Sequence, residues 1–349
     1  MTVVAPQSVA ELAATVRQCA AAGTALRPRG SGYEMAAGNP VEAPVTIHTG
    51  RLDEIRQFDP DELVIRVGAG VTMEKLHATL SEHRLRAVVP QRPTARTIGG
   101  VIASGASGYE RLRYGPVRNH VIGMTLVSGG GDVVEAGGRV VKNVTGFDLS
   151  RLCVGSFGRL GVIAEVGLRV FPRRGSVAVI AVEEPEAAWR GSARPLAVVG
   201  TRDGALALVE GSDEAIDSQV TSLKGELRDG AELPSPEEWS WRATVRSRPS
   251  EQPGLLLRLP AHWDYIAQYG VGLTEVGGSE AVVTDDLASV RAAAEATGGR
   301  LVIHRLPEAQ RASIDAWGAP PPDMVIQRRI VASFDPHGIF NPGILPEGL

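Results

Sequence analysis

Thr97-Ile98-Gly99-Gly100-Val101-Ile102-Ala103-Ser104-Gly105-Ala106-Ser107-Gly108 is the stretch on which the reading of this chain turns. Gly99, Gly100, Gly105 and Gly108 carry no Cβ, so another molecule can approach the peptide groups closely there. Thr97, Ser104 and Ser107 add hydroxyls. Residues this small bury little apolar area, which argues against an element whose purpose is to fill a core. A flexible linker is the plain alternative, yet Ile98, Val101 and Ile102 recur at a spacing suited to packing. The segment reads as backbone shaped to meet a ligand.

Two further glycine-rich segments flank it. Upstream, Pro28-Arg29-Gly30-Ser31-Gly32-Tyr33 follows the short apolar run Thr24-Ala25-Leu26. Such a turn can converge several backbone N–H groups on phosphate oxygens, although an ordinary tight turn has the same composition. Downstream, Lys142-Asn143-Val144-Thr145-Gly146-Phe147-Asp148 runs on to Gly155-Ser156-Phe157-Gly158-Arg159-Leu160-Gly161-Val162-Ile163. Each alone is compatible with a loop and a helix cap.

Around these loops, elements of both kinds are expected. Ser8 and Glu11 have capping-box spacing for a helix that ends at Gly23, with Leu12, Val16 and Cys19 on one face. Alternation predicts a strand over 62–67, and a helix follows over 72–83. Strands are expected at 120–128, 132–135, 139–141 and 162–171, with a short helix capped by Asp148. Arg173-Arg174-Gly175 reads as a link, which places one domain at 1–172. In 175–323 the expectation is strands at 177–182, 205–210, 254–259 and 301–305, and helices at 212–223, 261–268 and 284–297. The polar, proline-rich stretch 228–253 reads as a surface loop, and no internal repeat is evident. The tail, 324–349, reads as a helix followed by the proline-punctuated FDPHGIFNPG turn.

Composition narrows the function. Over 349 residues the net charge is −4, without a basic block, so no nucleic-acid partner is expected. Two cysteines cannot supply a disulfide framework or a four-thiolate cluster, and both are expected to be buried and reduced. The segment MTVVAPQSVAELAAT lacks a basic region before an apolar core, so no signal peptide is expected. No run approaches a membrane span. G-x-G-x-x-G after a strand, a Walker loop, G-x-S-x-G and H-E-x-x-H are all missing, which removes support for nicotinamide enzymes, ATPases, serine hydrolases and zinc proteases. The seven histidines contain no close pair, so no metal site is expected.

These segments, in this order and closed by the FDPHGIFNPG tail, resemble the vanillyl-alcohol-oxidase (PCMH-type) FAD-binding family. The resemblance covers residues 5–172 and returns at 325–343. Within it, VVKNVTGFDLSRLCVGSFGRLGVI (140–163) is similar to the smaller flavin-binding subunits of glycolate-oxidising complexes. It implies an α+β chain: a two-subdomain PCMH-type FAD-binding domain, then a smaller α/β cap domain for substrate, then a C-terminal segment returning to the flavin. Carried over residue by residue, it implies that Arg29, Gly30, Ser31, Gly32 and Tyr33 cradle the FAD pyrophosphate from one side. Thr97, Ile98, Gly99 and Gly100, with Ser104, Gly105, Ser107 and Gly108, hold it from the other and reach the ribityl chain. Pro90 lies near the isoalloxazine. Gly158, Gly161, Val162 and Ile163 meet the adenosine end, and Asn341 closes over the ring. Relatives that bind flavin covalently often use a histidine just after the first glycine loop; here that position is Tyr33, which implies non-covalent FAD.

The implied reaction oxidises a 2-hydroxy acid, such as glycolate to glyoxylate, by hydride transfer to the flavin. The implied partners are a larger FAD-binding dehydrogenase subunit and an iron–sulfur subunit, and any membrane association runs through them from a cytoplasmic location. No general base is assignable. Arg113 and Tyr114, beside the flavin loops, and His304 and Arg305, on an expected strand, are candidates for the site; each also has a plain structural reading. The glycine- and histidine-rich metal segment of the catalytic large subunits is missing. A non-catalytic subunit that relays electrons or supports assembly is therefore the alternative reading.

Overall fold

The computed structural model describes residues 2–138, 148–191 and 194–349. The strand expected at 139–141 and the motif Lys142–Phe147 lie outside the described residues. Ser8 opens the first helix, Val9–Ala21, by accepting the Glu11 amide on its side-chain oxygen at 3.2 Å. Leu12, Ala13, Val16 and Cys19 line its buried face, as the spacing predicts. They pack on a small parallel sheet in the order Thr2–Val4, Val45–His48, Leu26–Arg29. The tail joins this sheet. Leu26 donates its amide to Ile339 at 2.8 Å and accepts that of Asn341 at 3.0 Å, bringing the last turn beside the first glycine loop.

A second sheet is antiparallel and five-stranded, in the order Ile55–Asp59, Val64–Gly68, Val162–Arg169, Val121–Val127, Val133–Gly137. Two helices cover it. Met73–Glu82 is capped by Thr72 and buries Met73, Leu76 and Leu80. Ile98–Ser104 comes from the opening glycine-rich segment. It stops where Gly105 takes a left-handed conformation (φ 69°) that a Cβ would strain. Ile98, Gly99, Val101 and Ile102 are buried in the main core. One face of this small-residue segment is therefore core, and only the other is free to meet a ligand.

Residues 176–305 build a third sheet of eight strands, every adjacent pair antiparallel. It contains an internal repeat that composition hides. Ser176–Val182, Pro185–Arg190, Ala197–Thr201, Gly204–Gly211, Asp213–Leu223 and Glu226–Leu227 form a βαββαβ unit. Trp241–Arg246, Gln252–Leu256, Asp264–Gln268, Leu273–Gly278, Thr284–Ala296 and Arg300–Arg305 form a second. In both, the strands lie in the order fourth, first, third, second, and the two second strands pair to join the units, with Val199 opposite Gln268.

Several expectations are corrected here. The run expected as a strand at 254–259 begins in the helix Gln252–Leu256, and the helix expected at 261–268 is the strand Asp264–Gln268. The expected loop 228–253 contains Trp241–Arg246, a strand paired on both sides. Short apolar runs suit either element, and here sheet pairing decides. One face of the large sheet packs under helices, burying Ala243, Val245, Val276, Leu301 and Ile303. The other face looks back toward the N-terminal half. Among the described residues no helix is long and apolar enough to cross a membrane.

Candidate functional site

Two cavities meet where the N-terminal half faces the large sheet. The smaller, about 100 Å³, is lined by Arg29, Gly30, Ser31 and Gly32 of the first glycine loop, and by Thr97, Gly99 and Gly100 at the start of the helix Ile98–Ser104. Gly158, Gly161, Val162 and Ile163 line it from the third loop, and Asn341 from the tail. The larger, about 550 Å³, takes Pro90, Gly105, Ser107 and Gly108 from the N-terminal half. Its opposite wall is the sheet face bearing Arg242, Thr244, Arg246, Gln268, Glu275 and His304. Tyr33, Glu34, Arg96 and Ser104 border both, so the cavities share a wall.

The glycines of the smaller cavity have different jobs. A Cβ on Gly30 would collide with the Thr97 hydroxyl, so the first two glycine loops are packed against each other. A Cβ on Gly99 would lie 2.8 Å from that of Ala69, which makes this glycine a contact between helix and sheet. At Gly100 the nearest atom is Thr97 Oγ1 at 3.4 Å, and the rest is open space. The Thr97 hydroxyl and Asn341 Oδ1 are buried with no hydrogen-bond partner among the described residues. Two orphaned polar oxygens and a face free of side chains are what a polar ligand with donors and acceptors would complete.

The expected site residues divide three ways. Most line one of the two cavities. Ile98 lines neither; it is fully buried in the core, because it faces the sheet rather than the loops. Asn341, expected over the ring, borders the smaller cavity with Gly158, whereas Pro90 borders the larger. Its side-chain nitrogen donates to the Phe157 carbonyl at 2.8 Å, which fixes it there. Ser107 accepts the Val117 amide at 2.9 Å and Ser104 donates to the Val101 carbonyl at 3.2 Å. Arg113 and Tyr114 border neither cavity: Arg113 reaches the Arg194 carbonyl, and the Tyr114 ring lies 4.5 Å from that of Phe171.

His304 does face the larger cavity, whereas Arg305 borders neither cavity and donates to the Trp239 carbonyl at 3.2 Å; a bulge explains how the two consecutive side chains come near one cluster. Arg242 pairs with Arg305 but Ala243 pairs with Ile303, leaving His304 as the extra residue. Both consecutive side chains can then approach one cluster. His304 shares a 2.8 Å hydrogen bond with Thr244, and the Arg305 guanidinium lies 5.3 Å from the centre of the Tyr33 ring. Burial, helped by Arg242, lowers the His304 pKa to about 3, so the imidazole is neutral at ordinary pH.

The centre of the cluster is Glu34, which the sequence reading does not single out. Its carboxylate receives Arg242 at 3.0 Å on both oxygens and Arg96 at 2.9 Å. Arg242 also donates to the Tyr33 hydroxyl at 3.1 Å. Burial alone would raise the Glu34 pKa; the two arginines outweigh it and hold the group at about 2. Glu275, 3.9 Å from Arg242, goes the other way, because burial outweighs the arginine attraction and raises it. The one available signal for the arginines is period two: in Trp241-Arg-Ala-Thr-Val-Arg246 the even positions are polar and line the cavity, while Trp241, Ala243 and Val245 are core. Among the described residues no cluster of His, Cys, Asp and Glu lies within reach of a shared metal.

With this geometry, comparison with known proteins is informative. A family model described as an FAD binding domain matches residues 2–137. Glycolate oxidase subunit GlcE of Escherichia coli (strain K12) is 30 % identical over 351 aligned positions, covering 94 % of each chain. D-lactate dehydrogenase of Archaeoglobus fulgidus is 33 % identical over 186 residues, 52 % of this chain and 41 % of that protein. Glycolate oxidase subunit GlcD of Bacillus subtilis (strain 168) is 32 % identical over 173 residues, 49 % of this chain and 37 % of that one. This chain therefore spans about two-fifths of the length of those two relatives. The structure of an alkyldihydroxyacetonephosphate synthase superposes with a TM-score of 0.70 at 16 % identity, covering 97 % of this chain and 75 % of that one, which establishes the fold. The end-to-end match to GlcE, the FAD-domain match and the shared fold together identify this chain as a member of the PCMH-type FAD-binding family of oxidoreductases, with FAD as its cofactor.

Proposed function

We propose that the chain is the flavin-bearing subunit of a glycolate oxidase-like complex, holding FAD non-covalently and oxidising a small 2-hydroxy acid, with electrons passed to partner subunits. The observation that carries this reading is the pair of joined cavities, glycine loops on one side and a polar sheet face on the other. Arg29 to Tyr33, with Thr97 and Gly100, are assigned to the pyrophosphate, where backbone N–H groups meet phosphate without intervening side chains. Gly158, Gly161, Val162 and Ile163 are assigned to the adenosine side, now with Asn341 beside them. Pro90, Ser104, Gly105, Ser107 and Gly108 are assigned to the ribityl and ring side, along the larger cavity. The chemistry supplied by bound FAD is hydride acceptance from an alcohol carbon.

The chain's own part is to hold the substrate and its hydroxyl proton. His304 is neutral and so can accept a hydrogen bond, while Thr244 fixes its ring. Arg242 and Arg96 are committed to Glu34, which makes them a rigid wall rather than free substrate ligands. The domains are assigned as 1–172 for flavin and 175–323 for the cap, with 324–349 returning to the loops. A larger FAD-binding subunit and an iron–sulfur subunit are the assigned partners, and a cytoplasmic complex is the assigned setting. The end-to-end likeness is to a protein named as a subunit, which favours one second reading: a flavin relay without turnover of its own.

The visible spectrum of the purified chain, before and after acid precipitation, tests the cofactor assignment. Yellow FAD released into the supernatant is expected; flavin retained in the pellet overturns the non-covalent assignment. Assay with D- and L-2-hydroxy acids and an artificial acceptor separates the two functions. Turnover by the chain alone supports the first, and turnover only after adding partners supports the second.

A further inference from the structure

The arginines lining the larger cavity are not equivalent. Arg86 is ion-paired with Glu210, Arg92 with Glu232, and Arg96 and Arg242 with Glu34. Arg173 donates to the Ser81 hydroxyl. Arg111 and Arg246 are different: among the described residues neither makes an ion pair or a side-chain hydrogen bond, yet both border the cavity. They arrive from opposite walls, Arg111 on the short helix Arg111–Tyr114 of the N-terminal half and Arg246 at the end of the strand Trp241–Arg246. Burial, and then the nearby charge of Arg246, lowers the Arg111 pKa to about 10. Arg111 is half-buried and Arg246 is exposed where it borders the cavity, so two like charges face one space with no protein counter-ion among the described residues, an arrangement that a bound anion would relieve.

A second, independent observation lies on the same sheet face. Gln268 is buried and borders the cavity, and its Oε1 is sealed from solvent with no hydrogen-bond partner among the described residues. A buried amide oxygen left without a partner is rare in a folded protein. Val179, Leu208 and Leu273 border the same cavity, giving apolar surface between the polar groups.

We propose that Arg111 and Arg246 form a two-sided carboxylate clamp across the domain boundary, with Gln268 reading the hydroxyl group of a bound 2-hydroxy acid. The clamp rests on the hydroxy-acid function proposed above and names the residues that select that substrate. A guanidinium meets a carboxylate through paired N–H donors, and one from each wall fixes the carboxylate without a metal. With its amide turned so that the oxygen faces the cavity, Gln268 then accepts from the hydroxyl, which simple carboxylic acids lack.

The test uses the full chain with two probes: 2-hydroxyisobutyrate, which has no hydrogen to lose at the hydroxyl carbon, and isobutyrate, which lacks the hydroxyl. Calorimetry gives affinity, and the flavin spectrum gives cofactor content. Arg111→Gln and Arg246→Gln are each expected to weaken both probes by about tenfold to a hundredfold. Gln268→Leu is expected to weaken only the hydroxy acid, by up to about tenfold. Arg113→Gln, on the same short helix but outside both cavities, is expected to change neither. If the glutamine variants lose flavin, Arg111→Lys and Arg246→Lys, which keep the charge but not the paired donors, carry the test and must still weaken both probes. No binding by the unaltered chain, or variants that bind as tightly, overturns the clamp. A chain free of flavin that still binds the probes in this pattern overturns the flavin assignment and leaves the clamp standing.

Discussion

Glu34 follows a glycine loop and a tyrosine, and as a letter in a sequence it is an ordinary surface carboxylate. Folding changes that: its side chain is 14 % exposed and meets two arginines that are 6 % and 8 % exposed. Removing one member of such a group leaves buried charge uncompensated. Glu34→Gln is expected to destabilise the chain by about 3 kcal/mol in urea unfolding, the low end for a broken buried pair because the amide keeps some hydrogen bonding; a loss below about 1 kcal/mol would show the cluster is well hydrated. His304 makes a separate prediction in pH. Its folded pKa, about 3, lies below an unfolded value near 6.5, so between those values the unfolded chain binds more protons. Stability contributed by the neutral ring is therefore full above pH 6.5 and falls as pH drops toward 3. Between pH 7 and pH 5 the loss from this one group is about 2 kcal/mol. His304→Gln is expected to flatten the pH dependence of the urea midpoint across that interval, and an unchanged slope would refute the assignment. His304 is visible in the sequence, but its strand residues carry no mark of Glu34, which lies 270 positions away in number (304 − 34) and 4.0 Å away in space.

At the scale of elements, the helix Ile98–Ser104 separates packing from binding on adjacent residues. Gly99 has its missing Cβ pointed at Ala69, and Gly100 has its own pointed at the smaller cavity. Gly99→Ala is expected to lower the melting temperature of the flavin-free chain, since the backbone oxygen of Ala69, at 3.0 Å, cannot move aside cheaply. Gly100→Ala is expected to leave that temperature unchanged or raise it slightly, because alanine is the better helix former by up to about 1 kcal/mol, while reducing flavin uptake. Flavin uptake that survives Gly100→Ala in full would remove the smaller cavity from the binding site. The sequence shows that this segment is special because glycine is legible; it does not show which glycine faces which way, since that depends on the sheet beneath. Capped helices such as Val9–Ala21 and Met73–Glu82 are legible for a similar reason: cap and periodicity lie within a few neighbouring residues. Asp264–Gln268 is not, because a five-residue apolar run takes its identity from Leu273–Gly278 and Ala197–Thr201 beside it. The repeat of the βαββαβ unit is hidden for the same reason: its two copies share pairing order, not residues.

For the whole molecule, the question is what keeps the N-terminal half against the large sheet. Two buried ion pairs cross the boundary beside the larger cavity: Arg242 of the sheet with Glu34, and Arg86 with Glu210, the latter two side chains 5 % and 1 % exposed. Glu210 also accepts the Arg174 amide at 3.1 Å, tying the linking segment into the same contact. Each half has its own apolar core, and Leu112, Phe157 and Leu345 pack from the N-terminal half and the tail against the cores of the other. Polar contacts, these packed side chains and the apolar patch around Tyr109, Leu233 and Trp239 couple them. Boundaries of this kind allow domains to move unless the interface is strong. Calorimetric melting of the unaltered chain is expected to show one transition, because losing either buried pair exposes charge left without its partner. Glu34→Gln combined with Glu210→Gln is expected to split it into two, one for each half, with added FAD raising the N-terminal transition more, because most of the assigned flavin contacts lie there. A double variant that still melts in one step would mean that the apolar contacts alone weld the halves together. The arginines facing the larger cavity would then sit in a rigid cleft, with no part for the ion pairs in holding its walls at the distance a small acid requires.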